Sequence, residues 1–282
     1  MTEITVNIVG AGRVGETFLR LLRDLDGFHV QDVLNARVTS ARNAVTAAGT
    51  GRAVGSFGEL RPARLWVLAV PDTQIAAAAD KISRHCPGPD PAAPPPVAFH
   101  CSGFLPAAEM AQLRDIGWRL ASVHPVLSFA DPAVAARQFT GTFCGIEGDD
   151  AALDQIRPML EGMGAIPFDI SSEAKSLYHA AAVFSNNFTT VLQAIAREAW
   201  AEAGVPDTIA AQLNHNLLQA TLDNIAAKGP QDALTGPAAR GDQAVIDQQG
   251  QDVARWHPEA GRIYRDMSTL AKNLKKCGKT AS

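Results

Sequence analysis

Gly10-Ala11-Gly12-Arg13-Val14-Gly15 is a G-x-G-x-x-G set directly between a compact β-branched run, residues 4–9, and a helix-like stretch. In that stretch Val14, Phe18, Leu21, Leu22 and Leu25 recur at helical spacing. At such a junction each glycine has its own use. Gly10 allows the tight turn, Gly12 lets a pyrophosphate approach the backbone, and Gly15 lets helix and strand pack closely. The first N–H groups of the helix, around Arg13 and Val14, are then available to phosphate oxygens. The chemistry implied is dinucleotide binding.

Which dinucleotide is read at the end of the next strand, where a carboxylate would hold the ribose 2′-hydroxyl of NAD. Here Asn35-Ala36-Arg37 occupies that position, Arg42 follows, and Asp32 stands three residues early. A missing terminal carboxylate beside an arginine suits the 2′-phosphate of NADP. Val70-Pro71-Asp72 and Cys101-Ser102-Gly103 each follow a strand-like run. Ligands in open α/β sheets bind at the carboxyl ends of strands, so the nicotinamide half is expected near Val70, Pro71, Ser102 and Gly103.

A second group of polar residues lies in an apolar helix. Lys175 and His179 are four apart and share a face, Asn186 returns to it eleven residues on, and Asn187 flanks it. Polar groups on such a helix are costly to bury unless bonded. A lysine or histidine there can donate a proton to a carbonyl or imine as hydride arrives. Lys175 is the candidate by spacing. His179 is the candidate by titration, because an imidazole exchanges protons near neutral pH. A lysine at a helix start is commonly exposed, so His179 is favoured.

The elements that must position these groups follow from periodicity. Strands are expected at 4–9, 29–35, 65–70 and 97–100, with shorter ones near 141–146 and 165–168. Helices are expected at 14–25, 40–48, 73–82 and 151–163, and the six-proline segment 87–96 is expected to be loop. This is the βαβ alternation of a doubly wound sheet. After residue 170 the pattern turns wholly helical: one long helix over 173–203, then 206–227, 240–254 and 257–276. The division is therefore expected at 1–170 and 171–282, an α/β domain followed by an all-α domain.

Composition agrees with this and excludes other classes. The 282 residues are enough for about two domains of roughly 150. Hydrophobic residues at 46% and charged residues at 19% exclude wholesale disorder. A net charge of −4 argues against a nucleic-acid partner, and Lys272, Lys275, Lys276 and Lys279 read as cations at a helix C-terminus. Four cysteines without a C-x-x-C pair give no disulfide framework or zinc site, and the scattered histidines offer no metal site. No G-x-S-x-G elbow and no Walker A turn occurs. With no signal-like N-terminus and no long apolar run, the expectation is a cytoplasmic protein without a membrane partner. The helical region has more apolar faces than one small domain covers, so a homodimer through it is expected, with the active cleft near the subunit boundary.

The chain resembles Rossmann-like proteins carrying the domain of unknown function 2520, relatives of pyrroline-5-carboxylate reductase, ketopantoate reductase and the β-hydroxyacid dehydrogenases. The resemblance rests on Gly10–Gly15, Leu68-Ala69-Val70-Pro71-Asp72, His100-Cys101-Ser102-Gly103 and Ser122-Val123-His124-Pro125. Further along it rests on Tyr178-His179-Ala180-Ala181 with Asn187, and on Leu234-Thr235-Gly236-Pro237 with Arg240-Gly241-Asp242. It implies NADP binding, and a helical domain of the 6-phosphogluconate-dehydrogenase-like type that dimerises. It also matches Lys175 to the catalytic lysine of those relatives. Two departures stand out: His179 replaces an asparagine of the relatives, and Gln249 replaces a histidine. The expected function is hydride transfer between NADP and a small carbonyl or imine. His179 or Lys175 handles the proton, and His124, Asn187, Thr235 and Asp242 complete the substrate pocket. The rival is a dinucleotide-binding sensor or scaffold without turnover.

Overall fold

The computed structural model describes residues 3–86 and 93–281. The first part of the proline-rich segment, 87–92, lies outside the described residues; its remainder, 93–96, is loop. The chain divides into two compact units between Val183 and Phe184.

In the first unit the described strands form one eight-stranded sheet: β1 (Ile4–Val9), β2 (Phe28–Leu34), β3 (Arg52–Val54), β4 (Leu65–Leu68), β5 (Val97–His100), β6 (Arg119–Pro125), β7 (Phe143–Gly148) and β8 (Ile166–Asp169). Their order is β3-β2-β1-β4-β5-β6-β7-β8. The strands from β1 to β6 pair in parallel, β7 runs antiparallel to β6, and β8 is parallel to β7. The direction of winding reverses between β1 and β4, the place where such sheets open a ligand crevice. The helices are α1 (Arg13–Arg23), α2 (Val38–Ala48), α3 (Ile75–His85), α4 (Ala111–Asp115), α5 (Pro132–Arg137), α6 (Asp150–Gly162) and α7 (Lys175–Val183).

Both faces of the sheet are covered. On β4, Leu65 and Val67 enter one core with α1 and α2, while Trp66 and Leu68 enter another with α3 and α4. A strand buried on both faces reads as a continuous apolar run, as this one does. Phe18 of α1 packs edge-on against Phe99 and Phe139 at 5.7 and 6.1 Å between ring centroids, and Trp66 meets Trp118 at 5.2 Å. Each such ring contributes about 2–3 kcal/mol by burial. All four cysteines are free thiols.

The second unit is helical. It opens on a π-helical turn, Phe184–Phe188, and continues through α8 (Thr189–Glu202), α9 (Asp207–Ala233), α10 (Pro237–Arg240), α11 (Gln243–Trp256) and α12 (Pro258–Cys277). α9 is kinked at Gly229, which takes φ 76° before Pro230. Among the described residues of this unit Ile246 is the only large apolar side chain that is buried, while Phe184, Leu217 and Leu222 are each more than half exposed. Among the described residues no helix is long and apolar enough to cross a membrane.

Two features differ from the expectations. β3, β6, α4 and α5 were not anticipated, because three are very short and β6 carries polar residues inward. The single helix expected at 173–203 is broken by the π turn. That turn removes the uniform 3.6-residue period on which the return of Asn186 to the face of Lys175 depended.

Candidate functional site

The glycine turn shows three different surroundings. Gly10 has φ 96°, and a Cβ there would stand 2.5 Å from the Ala69 carbonyl oxygen. A Cβ on Gly15 would stand 1.9 Å from the carbonyl oxygen of Gly10, so turn and helix are in backbone contact. Gly12 is the opposite case: nothing lies within 4 Å of its Cβ position. Gly12 is also the N-cap of α1, and no side chain caps the helix. The N–H groups of Arg13, Val14 and Gly15 precede the first intrahelical bond, from Glu16 N–H to Gly12 O at 2.8 Å. The result is an open cradle of backbone donors at the positive end of a helix dipole, a natural anion site.

A groove of about 710 Å³ runs from this cradle, lined by Gly10, Gly12, Asn35, Val70, Pro71 and Lys81 among others. Asn35 accepts the Ala36 N–H at 2.9 Å and directly follows Leu34, the last residue of β2, without a carboxylate. Arg37 is exposed and caps α2 directly after the groove-lining Ala36. Asp32 is fully buried and engaged elsewhere, accepting Arg52 Nε and Arg61 Nη2 at 2.8 Å each and Arg61 N–H at 2.9 Å. Burial alone would raise its pKa. The hydrogen bonds from Arg61 and Arg52 outweigh burial and hold it at about 2. A cation not anticipated from the sequence, Lys81, lies 5.5 Å from the centre of the Phe57 ring, and both line the groove.

A second polar group forms at the carboxyl end of β5. Register places His100 of β5 beside Ser122 of β6, and Ser122 beside Glu147 of β7. All three are buried, with Lys175 of α7 among them at 1% exposure. The Lys175 ammonium donates to the Ser102 carbonyl at 2.9 Å and to the Ser122 hydroxyl, and it lies 3.6 Å from the Glu147 carboxylate. Burial pulls its pKa below the ordinary lysine range, while Glu147 opposes that shift. Lys175 is thus not the exposed lysine expected at a helix start.

Beside this group stand two histidines and a tyrosine. His124 Nδ1 and the Tyr178 hydroxyl share a hydrogen bond of 2.9 Å, and the rings of His124 and His179 are 5.5 Å apart at 79°. Both imidazoles press on Gly103, where a Cβ would stand 2.5 Å from His179 Nδ1 and 2.8 Å from His124 Nε2. His124 is pushed down to about 4, first by burial and then by the neighbouring charges of His179 and Lys175. It is neutral at pH 7. Burial also pushes Tyr178 up to about 12, so the phenol keeps its proton. His179 Nδ1 is buried with no hydrogen-bond partner.

Residues 142–271 match the model of a domain of unknown function, DUF2520. The expected likeness to Rossmann-like DUF2520 proteins holds. No match to the sequence was found among curated proteins. Among solved structures, protein TM1727 from Thermotoga maritima is 26% identical, with 97% of this chain and 99% of that chain covered at a TM-score of 0.74. A protein described as an NADP oxidoreductase, BF3122 from Bacteroides fragilis, is 21% identical over 96% and 98% of the chains, with a TM-score of 0.73. The 1-pyrroline-5-carboxylate reductase of Streptococcus pyogenes is 13% identical over 96% and 99%, with a TM-score of 0.62. The expected architecture, a Rossmann-type domain followed by a helical one, is shared with these structures.

The DUF2520 match covers Glu147, Lys175, Tyr178 and His179 in the first unit. It also covers three expected pocket residues that belong to the second unit. Asn187 is exposed within the π turn, Thr235 is exposed between α9 and α10, and Asp242 accepts Arg240 Nε at 3.0 Å. Gln249, where the resemblance leads to the expectation of a histidine, accepts the Tyr264 hydroxyl at 2.7 Å. Glu147 carries no sequence signal, and Ser122 and His100 stand out in the sequence only as parts of longer motifs. No local pattern marks these residues, because strand register alone brings them together.

Proposed function

We propose that the protein is an NADP-dependent oxidoreductase that transfers a hydride between nicotinamide and a small carbonyl or imine substrate. The observation that carries this is the Gly12 cradle, open to 4 Å above an uncapped helix N-terminus at the switch point of the sheet. Solved structures of the same fold described as an NADP oxidoreductase and a pyrroline-5-carboxylate reductase support the reading. Gly10, Gly12 and Gly15, with the N–H groups of Arg13 and Val14, would hold the pyrophosphate. Asn35 and Arg37 would face the 2′-phosphate, with Lys81 as a second cation on the groove. Val70, Pro71, Ser102 and Gly103 would border the nicotinamide end.

When bound, the nicotinamide supplies the hydride. The chain's own work is the proton. Hydride addition to a C=N or C=O carbon leaves negative charge on nitrogen or oxygen unless a proton arrives as well, and an acid within reach lowers that barrier. His179 Nε2 donates this proton in the reductive direction and accepts it in the reverse. Neutral His124, held by Tyr178, contacts the substrate as a polar partner without competing for the charge.

The test is NADPH oxidation against a panel of keto acids and cyclic imines. Once a substrate is found, His179→Ala is expected to lower turnover roughly 100-fold or more while NADPH affinity stays within about twofold. Binding of NADPH with no turnover across the panel would instead favour a non-catalytic binder.

A further inference from the structure

The segment from Ser102 to Ala107 is pinned at nearly every residue. Lys175 holds the Ser102 carbonyl at 2.9 Å, and Glu147 Oε1 accepts the Ala107 N–H at 2.7 Å. His100 Nδ1 accepts the Ser102 N–H at 3.2 Å, which places the imidazole proton on Nε2, and that proton is donated to the Pro106 carbonyl at 2.9 Å. The Ser102 hydroxyl oxygen accepts the N–H groups of Phe104 and Leu105 at 3.1 and 2.9 Å. Glu147 Oε2 accepts the Ser172 hydroxyl at 2.6 Å, tying the same carboxylate to the approach of α7. Within this turn Gly103 is pressed against the two imidazoles.

An ammonium has three donors. Those of Lys175 face the Ser102 carbonyl, the Ser122 hydroxyl and the Glu147 carboxylate, and 1% of the side chain is exposed. Two of them are hydrogen-bonded, the third lies toward Glu147 at 3.6 Å, and the side chain has almost no free surface. Buried ion pairs add little net stability, because desolvation offsets the attraction. What this pair does is fix geometry.

We infer that Lys175 is a positioning residue rather than a proton donor: with Glu147 it clamps the 102–107 turn so that Gly103 sets the placement of His124 and His179. The clamp follows from the bonds themselves; its service to the reaction rests on the function proposed above. Its test needs no substrate, so failure of either idea is recognised separately.

Native protein is labelled with acetic anhydride and read by mass spectrometry. Lys175 is expected to react at least about 100-fold more slowly than the exposed Lys81 and Lys276. Labelling at their rate would overturn the proposal. The second measurement uses the double variant Lys175→Met/Glu147→Gln, since Lys175→Met alone leaves a buried carboxylate unpaired and can unfold the protein. Amide exchange in 102–107 should rise about 10-fold or more with β1 and β2 unchanged. The imidazole NMR signals of His124 and His179 should shift while those of His29 and His215 stay. Unchanged exchange and unmoved His124 and His179 signals in the double variant would refute the clamp.

Discussion

Gly12 and Gly15 carry the same residue type three positions apart, yet they should fail in opposite ways when substituted. A side chain on Gly12 has free space and an ordinary backbone conformation, so the fold tolerates it and the ligand does not. A side chain on Gly15 strikes the Gly10 carbonyl at 1.9 Å. Gly15→Ala is therefore expected to lower stability by about 2 kcal/mol or more, seen as a drop in Tm without any ligand present. Arg37 belongs to this scale too. NADPH should bind more tightly than NADH, and Arg37→Ala should narrow the gap by about 1–3 kcal/mol, the scale of a lost charge-assisted hydrogen bond. Equal affinities in the parent protein would contradict this. The roles of the three glycines were legible in the sequence because they are local: a strand, a turn and a helix start within twelve residues. The burial of Lys175 was not, since four-residue spacing shows which face a side chain shares and says nothing of what covers that face.

At the scale of elements, the site depends on lateral register. His100, Ser122 and Glu147 are far apart in sequence and become neighbours only because β5, β6 and β7 align them. β6 was hard to read for the same reason, as Ser122 and His124 interrupt its apolar pattern while serving the site. The reversal of β7 is equally invisible, because strand direction is decided by the connection and not by composition. The histidines of this row give a pH prediction. His100 is lowered from 6.5 to about 4 by burial first, with the Lys175 charge adding to it, and His124 falls similarly. The unfolded chain therefore takes up protons that the folded chain refuses as pH falls from 6.5 to 4, so stability drops across that window and is flat above it. At about 1.4 kcal/mol per unit, fully buried His100 alone accounts for on the order of 3 kcal/mol. Urea melts at pH 7.5 and 5 should show the loss, and His100→Asn should reduce the slope. Asp32 adds a separate fall below 3.8, as the carboxylate that Arg61 and Arg52 stabilise is protonated.

On the scale of the whole molecule, the helical unit was legible in number and punctuation of helices but not in how little it buries. Phe188, Val191, Leu217, Leu222, Ile225 and Met267 all remain exposed, and large exposed apolar surface is a mark of protein interfaces. We propose that a second copy of the chain covers this surface. Light scattering at micromolar concentration should give twice the monomer mass, and a monomer would contradict the proposal. The central claim, however, is that the first unit binds a nicotinamide dinucleotide through the Gly12 cradle. The most direct measurement is a calorimetric titration of NADPH into the parent protein and into Gly12→Val, with Tm recorded for both. Binding is expected in the parent, with a loss of roughly 100-fold or more in the variant and an unchanged ligand-free Tm. Equal affinity in the two proteins, or no binding in the parent, would contradict it.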